Sequence, residues 1–128
     1  RSDVSNPIEV DDMLPAIAQG CIGIESRVDD TEIGAMLAAI NDAPATLRLA
    51  AERAFLAGLD GSCQTPIAGL AELDGDRMRL RGQVIRPDGS EALSDEIHCA
   101  ACDGADEGAQ MANRLRAQIV RNPVYKPD

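Results

Sequence analysis

The stretch Arg77-Met78-Arg79-Leu80-Arg81-Gly82-Gln83-Val84-Ile85 alternates charged and apolar side chains over its first five positions. That is the two-residue period of a strand with one wet face and one packed face. Turn residues bracket it: Asp74-Gly75-Asp76 on one side and Pro87-Asp88-Gly89-Ser90 on the other. Both clusters favour a tight reversal of the chain. The run therefore belongs to an antiparallel meander, with Pro66 to Leu73 and Glu91 to Cys99 as the other strands.

Helical spacing flanks the meander. Asp29-Asp30-Thr31 offers a cap, and Ile33, Met36, Leu37 and Ile40 follow at i, i+3, i+4 and i+7, the spacing of one apolar helix face. Asn41-Asp42 caps a second helix, with Pro44 tolerated in its first turn. Leu47, Ala51, Phe55 and Leu59 recur every four residues along it, and Gly61 supplies its stop. Ala105 to Arg121 closes as a helix with Met111, Leu115 and Ile119 on one face. The expected order is ααβββα, an α+β fold with helices packed on one face of a three-stranded antiparallel sheet. With no Trp, one Phe and one Tyr, the core must be built from Leu, Ile, Val, Met and Ala.

Residues 1–28 read differently. "RSDVSNPIEVDDMLPAIAQGCIGIESR" does not look like a domain start. Cys21 to Glu25 is an extended segment with no strand partner nearby, and lone strands are not stable. Its partner is expected to be missing or distant in sequence. Ile17, Ile22 and Ile24 should then seek cover on the remaining domain or on a second copy of the chain, a route to self-association.

A formal net charge of -10 argues against nucleic acid or an anionic membrane as partner. No apolar run approaches the ~20 residues of a membrane helix, and Arg1-Ser2-Asp3 lacks the form of a signal peptide. Cys21, Cys63, Cys99 and Cys102 read as reduced thiols of a cytosolic protein.

Four features could carry chemistry. Cys63 sits on a Gly-bearing turn between a helix and a strand. It is either an inconsequential loop cysteine or a nucleophile and attachment point, since a thiolate is strongly nucleophilic and glycine admits close approach. A nucleophilic hydrolase is disfavoured, because His98 is the only histidine and nothing marks it as a base for Cys63. His98-Cys99-Ala100-Ala101-Cys102 has the spacing of half a zinc site or a redox pair, but three ligands crowd one strand end with no second cluster, so incidental cysteines and no metal are expected. Arg77, Arg79, Arg81 and Arg86 form either an anion-binding stripe or, as strand alternation alone would produce, a solvated sheet face. Gly20 and Gly23 have the spacing of a phosphate loop without its Lys or its helix, and that reading is discarded.

"LPAIAQGCIGIESR", "TLRLAAERAFLAGLDGSCQTPIAGLAEL" and "RGQVIRPDGSE" together resemble the C-terminal part of porphobilinogen deaminases, also called hydroxymethylbilane synthases. The resemblance runs over nearly the whole chain and is weakest from Asp103 onward. It implies a three-domain enzyme of heme biosynthesis with the active-site cleft between its first two domains. It also implies a third, smaller α+β domain like the one read above. In that family the cysteine of the G-G-C-Q motif holds a dipyrromethane primer through a thioether. Four porphobilinogens extend the primer with release of ammonia, and hydroxymethylbilane is then hydrolysed off.

Carried onto this sequence, the resemblance makes Cys63 the attachment residue. It makes Gln19 and Gly20 candidates for contact with a bound pyrrole. Ser62 stands where Gly is usual and Cys21 where Ala is usual; neither change removes a needed group. The family's catalytic aspartate and arginine cluster fall upstream, so no catalytic residue is expected in residues 1–128. The partners implied are the missing N-terminal domains, with porphobilinogen as substrate of the intact enzyme. On this reading residues 1–28 are the return segment of a missing first domain plus a hinge. Residues 29–128 are the cofactor-tethering domain, inactive alone. The rival readings are a small metal or redox module on His98, Cys99 and Cys102, and a non-catalytic α+β interaction domain.

Overall fold

A computed structural model describes residues 6–59 and 66–121, and the expected Gly61 stop lies outside them. The elements are α1 (Thr31–Ile40), α2 (Ala43–Gly58), β1 (Ile67–Asp74), β2 (Arg77–Ile85), β3 (Ala92–Ala100), a 3-10 turn (Ala101–Asp103) and α3 (Gly104–Arg121). This is the ααβββα order read from the sequence, and the class is α+β.

The caps act as their residue types require. Asp30 Oδ1 accepts the Ile33 N–H at 3.1 Å, and Asp42 Oδ1 accepts the Ala45 N–H at 2.7 Å. Each satisfies one of the amide donors that a helix start leaves without a partner. Helix α2 closes as the Leu59 N–H turns back to the carbonyls of Ala57 and Leu56.

The sheet has the order β1-β2-β3, antiparallel throughout. Asp74 pairs with Arg77 across a two-residue turn in which Gly75 has a φ of 60°, the left-handed backbone that such hairpins need. Strand alternation sends Met78, Leu80 and Val84 to one face, where they meet Ala51 and Phe55 of α2 and Met111 and Leu115 of α3 in a single core.

One cross-strand pair shapes that core. Gly69 and Gly82 face each other in the β1–β2 register. A Cβ on Gly82 would lie 2.5 Å from Phe55 Cζ, and one on Gly69 would lie 2.6 Å from Ile17 Cδ1. The two glycines leave a hollow in the sheet surface, filled by the Phe55 ring from α2 and by Ile17 from the N-terminal segment. In a core with a single Phe, this hollow seats its largest side chain.

Ile17 belongs to a strap that closes the free edge of β1. The Gly69 N–H donates to the Pro15 carbonyl at 3.0 Å, and Ala16 bridges Ala68 in antiparallel fashion. The edge strand is thus partly paired by its own chain. Of the apolar residues expected to seek cover, Ile17 finds it here, whereas Ile22 is 89% and Ile24 60% exposed. Residues 21–27 form no strand. Helix α1 has the expected apolar spacing yet buries none of its residues, and Met36 and Ile40 are 57% and 69% exposed. Among the described residues no helix is long and apolar enough to cross a membrane.

Candidate functional site: a cavity between strap and helix α2

Where the strap leaves β1 it crosses helix α2, and a cavity of about 260 Å³ opens between them. Ala18, Gln19, Gly20 and Cys21 line it from the strap, and Ala45, Arg48, Leu49 and Glu52 line it from α2. The two glycine-region candidates, Gln19 and Gly20, are therefore brought together on one wall.

Glu52 fixes this wall. It is 7% exposed. Its Oε2 accepts the Ala18 N–H at 2.8 Å and its Oε1 accepts the Ala71 N–H at 2.9 Å. A carboxylate out of water requires such charge-assisted bonds. One side chain thereby ties α2, the strap and the β1 edge together. Ala18 has a φ of 61°, left-handed backbone that costs a residue with a Cβ about 1–2 kcal/mol. The Glu52 bond and the Ile17 anchor hold it there. Beyond it, Gly20 has a φ of 80° with nothing within 4 Å of where a Cβ would stand, and the chain runs on past α1 and the start of α2, with which residues 20–24 line a further cavity.

Sequence reasoning did not single out Glu52. Its signal is present in hindsight: an acidic residue next to Ala51 on an otherwise apolar stripe, among small neighbours that let a backbone approach. Arg48, one turn earlier on the same helix face, was also passed over. It is exposed, and among the described residues it has neither a hydrogen bond nor an ion pair.

The attachment candidate, Cys63, lies outside the described residues. What is described is the frame on either side. Leu59 N–H donates to Leu56 O at 3.2 Å, and Pro66 O accepts Ile85 N–H at 2.8 Å. The described residues on either side are thus held, Leu59 by the helix and Pro66 by the sheet.

Of the arginine stripe, Arg77 is exposed and Arg79 partly so, as a solvated sheet face requires, whereas Arg81 departs from that reading. Arg79 and Arg81 do share the sheet face away from the helices, but carboxylates already occupy them. Arg79 makes two bonds to Glu96, at 3.0 and 2.9 Å. Arg81 donates to Asp11 at 2.6 Å and to Glu72 at 2.9 Å. Arg81 was expected to be solvated and is 9% exposed instead, because Val10, Asp11 and Leu14 of the strap lie against that face. Its Nε makes no hydrogen bond. Arg86 pairs with Asp88 and Glu91 in the following turn.

His98 and Cys99 point to opposite faces of β3. His98 Nε2 meets Glu96 Oε1 at 2.9 Å on the outer face, while Cys99 packs against the core. Cys102 lies on the 3-10 turn beside Asp103. Among the described residues, no group of three His, Cys, Asp or Glu could hold a metal ion. Burial pushes the Cys99 thiol up from its ordinary range, with the carboxylates of Glu107 and Asp103 adding to the effect.

Comparison with known proteins places these features. The family model described as "Porphobilinogen deaminase, C-terminal domain" matches residues 46–119. A porphobilinogen deaminase of Paracoccus denitrificans is 60% identical over 111 residues, 87% of this chain and 36% of the relative. Porphobilinogen deaminases of Nitrobacter hamburgensis and Nitrobacter winogradskyi are 48% and 49% identical over 109 residues, 85% of this chain and 34% of each relative. The chain spans about a third of the length of the curated relatives it matches. The matched region takes in most of α2, the Cys63 segment, the whole sheet and nearly all of α3, more than half of the sequence. The chain therefore belongs to the porphobilinogen deaminase family, as its C-terminal portion.

Proposed function

We propose that this chain is the tethering part of an enzyme that condenses four porphobilinogens into hydroxymethylbilane with release of ammonia. A dipyrromethane primer on Cys63 would be the point of growth. The observation that carries the reading is the family match across the α2–β1 junction, where the sequence places a thiol in "LDGSCQTPI". A chain-elongating enzyme must hold its intermediates, and a thioether survives repeated acid and base chemistry. Main-chain bonds hold Leu59 and Pro66, the described residues on either side of the Cys63 segment, which suits a fixed point of attachment.

In this reading Cys63 supplies the thiolate that bonds the primer. When bound, the dipyrromethane provides the pyrrole carbon on which the product grows. Gln19 and Gly20 contact a bound pyrrole from the strap. Residues 1–28 are the return segment and hinge from an upstream domain, and residues 29–128 are the tethering domain. The open apolar side chains of Ile22, Ile24, Met36 and Ile40 suit a contact with upstream domains of the same chain. In their absence they suit self-association. Catalytic carboxylate and substrate-binding arginines lie upstream, so the isolated chain does not consume porphobilinogen. A cytosolic site of action fits the free thiols of Cys21, Cys99 and Cys102.

Mass spectrometry tests the proposal. In the intact enzyme, the peptide containing Cys63 should carry the added mass of a dipyrromethane, and Cys63→Ser should abolish it. The isolated chain should show its bare mass and a freely alkylatable Cys63. Wild-type turnover by an intact Cys63→Ala enzyme, or ammonia release by the isolated chain, would overturn the reading.

A further inference from the structure

We propose that Arg81 is a positioning residue: from the sheet face opposite the helices it holds the strap through Asp11, and so sets where the strap stands over helix α2. The inference rests on the function proposed above, because the strap borders the cavity used there.

The strap passes round the free edge of β1. Val10, Asp11 and Leu14 lie against the outer face beside Arg81. Pro15 and Ala16 pair with the edge itself. Ile17 and Ala18 reach the helix side, at Gly69 and Glu52. Bonds at the edge and on the inner face alone would leave the strap free to pivot about Pro15, and a hold on the outer face removes that freedom. Among the described residues, the one side-chain bond from residues 6–14 to the sheet joins Asp11 Oδ1 to Arg81 Nη1, at 2.6 Å.

Both partners are placed independently of each other. Arg81 Nη2 donates to Glu72 Oε2 at 2.9 Å, and the same oxygen lies 3.8 Å from Arg79 Nη1. Glu96 in turn holds Arg79 by two bonds. A line of alternating charge thus crosses all three strands and ends at the strap. Asp11 is presented by a closed turn, in which the Asp12 and Met13 N–H groups donate to the Glu9 carbonyl at 3.0 and 3.1 Å. One planar guanidinium serves carboxylates on two different nitrogens, which the point charge of a lysine does not reproduce.

The burial of Arg81 comes from the strap and leaves its Nε without an acceptor. A buried donor without a partner costs stability. Stability alone therefore does not account for covering this guanidinium, whereas a fixed strap does. Ala18, with its φ of 61°, needs that fixing, because left-handed backbone at a residue with a Cβ persists only where its surroundings over-determine it.

The test compares Asp11→Asn and Arg81→Lys with Asp12→Asn. Asp12 borders the same face and has no ion pair among the described residues, so it controls for charge. The Asp11 side chain is 79% exposed, and Asp11→Asn should leave the urea midpoint unchanged. In the 128-residue chain, the Met13 and Ala18 amides should exchange about tenfold faster in Asp11→Asn and Arg81→Lys, the loss of one charge-assisted bond, and at the wild-type rate in Asp12→Asn. In the intact enzyme, kcat should fall about tenfold in the first two variants, since misplacement far from the chemistry forfeits that much or more. KM should change less than about twofold, because the substrate is held by groups upstream. The double variant should be no worse than either single one, as both break the same link. Unchanged exchange at Ala18, equal effects of Asp12→Asn, or a rise in KM alone overturns the proposal. A wild-type enzyme with no primer on Cys63 fails the tethering function and the positioning role with it. A primer-bearing enzyme whose kcat is the same in every variant fails the positioning role alone.

Discussion

The Glu52 carboxylate accepts the N–H of Ala18, 34 residues upstream, at 2.8 Å while its other oxygen accepts the N–H of Ala71. Replacing Glu52 by Ala leaves two amide donors without partners in a buried setting. Each such loss costs about 1–3 kcal/mol, so Glu52→Ala should lower stability by about 2–5 kcal/mol in urea unfolding. Glu52→Gln keeps one acceptor oxygen and should cost about half as much. Hydrogen exchange supplies the local check: in Glu52→Ala the amides of Ala18 and Ala71 should lose protection together. Loss of protection at only one of them would show that the strap and β1 are held independently.

The Gly69–Gly82 pair gives a second expectation. Gly82→Ala puts a methyl group 2.5 Å from Phe55 Cζ and 2.7 Å from Met111 Cε. Side chains must shift to admit it, and overpacking of this kind costs about 1–3 kcal/mol. Phe55→Leu in the same chain should recover part of the loss. A double-mutant cycle showing strict additivity would mean that the ring and the glycine hollow are not coupled.

The acid limb of stability should pass through Glu96. Arg79 and then His98 hydrogen-bond its carboxylate and lower its pKa from 4.5 to about 2. A carboxyl whose folded pKa lies below its unfolded value stabilises the fold above the unfolded value. That contribution is lost as pH falls through the folded one. Stability should therefore drop between about pH 4.5 and 2, and Glu96→Gln should flatten that part of the profile. An unchanged slope in the variant would remove Glu96 from the account.

Thiol reactivity should sort by position. Cys99 packs against the core and its pKa is raised by burial, whereas Cys21 and Cys102 are exposed. At mildly alkaline pH, iodoacetamide should label Cys21 and Cys102 well before Cys99, because the thiolate is the reacting form. Peptide mapping at early times checks the order, and prior labelling of Cys99 would contradict the burial.

The elements were legible because their signals are local. Alternation in Arg77 to Ile85, the Asp-Gly-Asp turn and the Asp30 and Asp42 caps each act over a few residues. The observed boundaries differ from the expected ones by a residue or so. Gln19 and Gly20 were singled out only through the resemblance, and as sequence neighbours they line the strap cavity together. What could not be read is what depends on distant chain segments. Arg81 looked solvated from its own strand's period, and only the approach of Asp11, far away in sequence, buries it. Gly69 and Gly82 carry no local signal of their role, which arises only when the register sets them opposite each other beside Phe55. Glu52 was not singled out because its partners are main-chain amides, which carry no residue-type signature.

The strap also sets an order of events during synthesis. Ala18 leaves the ribosome before the side chain that holds it, and Glu52 follows 34 residues later. At about 5–20 residues per second, that is a wait of about 2–7 s. Pro15 waits longer still, until Gly69 of the edge strand arrives. Through that interval the strap has no site to occupy, and Ile17 has no hollow to enter. A nascent chain stalled just after α2 should therefore leave the strap sensitive to protease, and one stalled after β2 should protect it. Within this portion of the chain the strap is made before the elements that fix it, so its attachment to the domain is completed only when the sheet is in place.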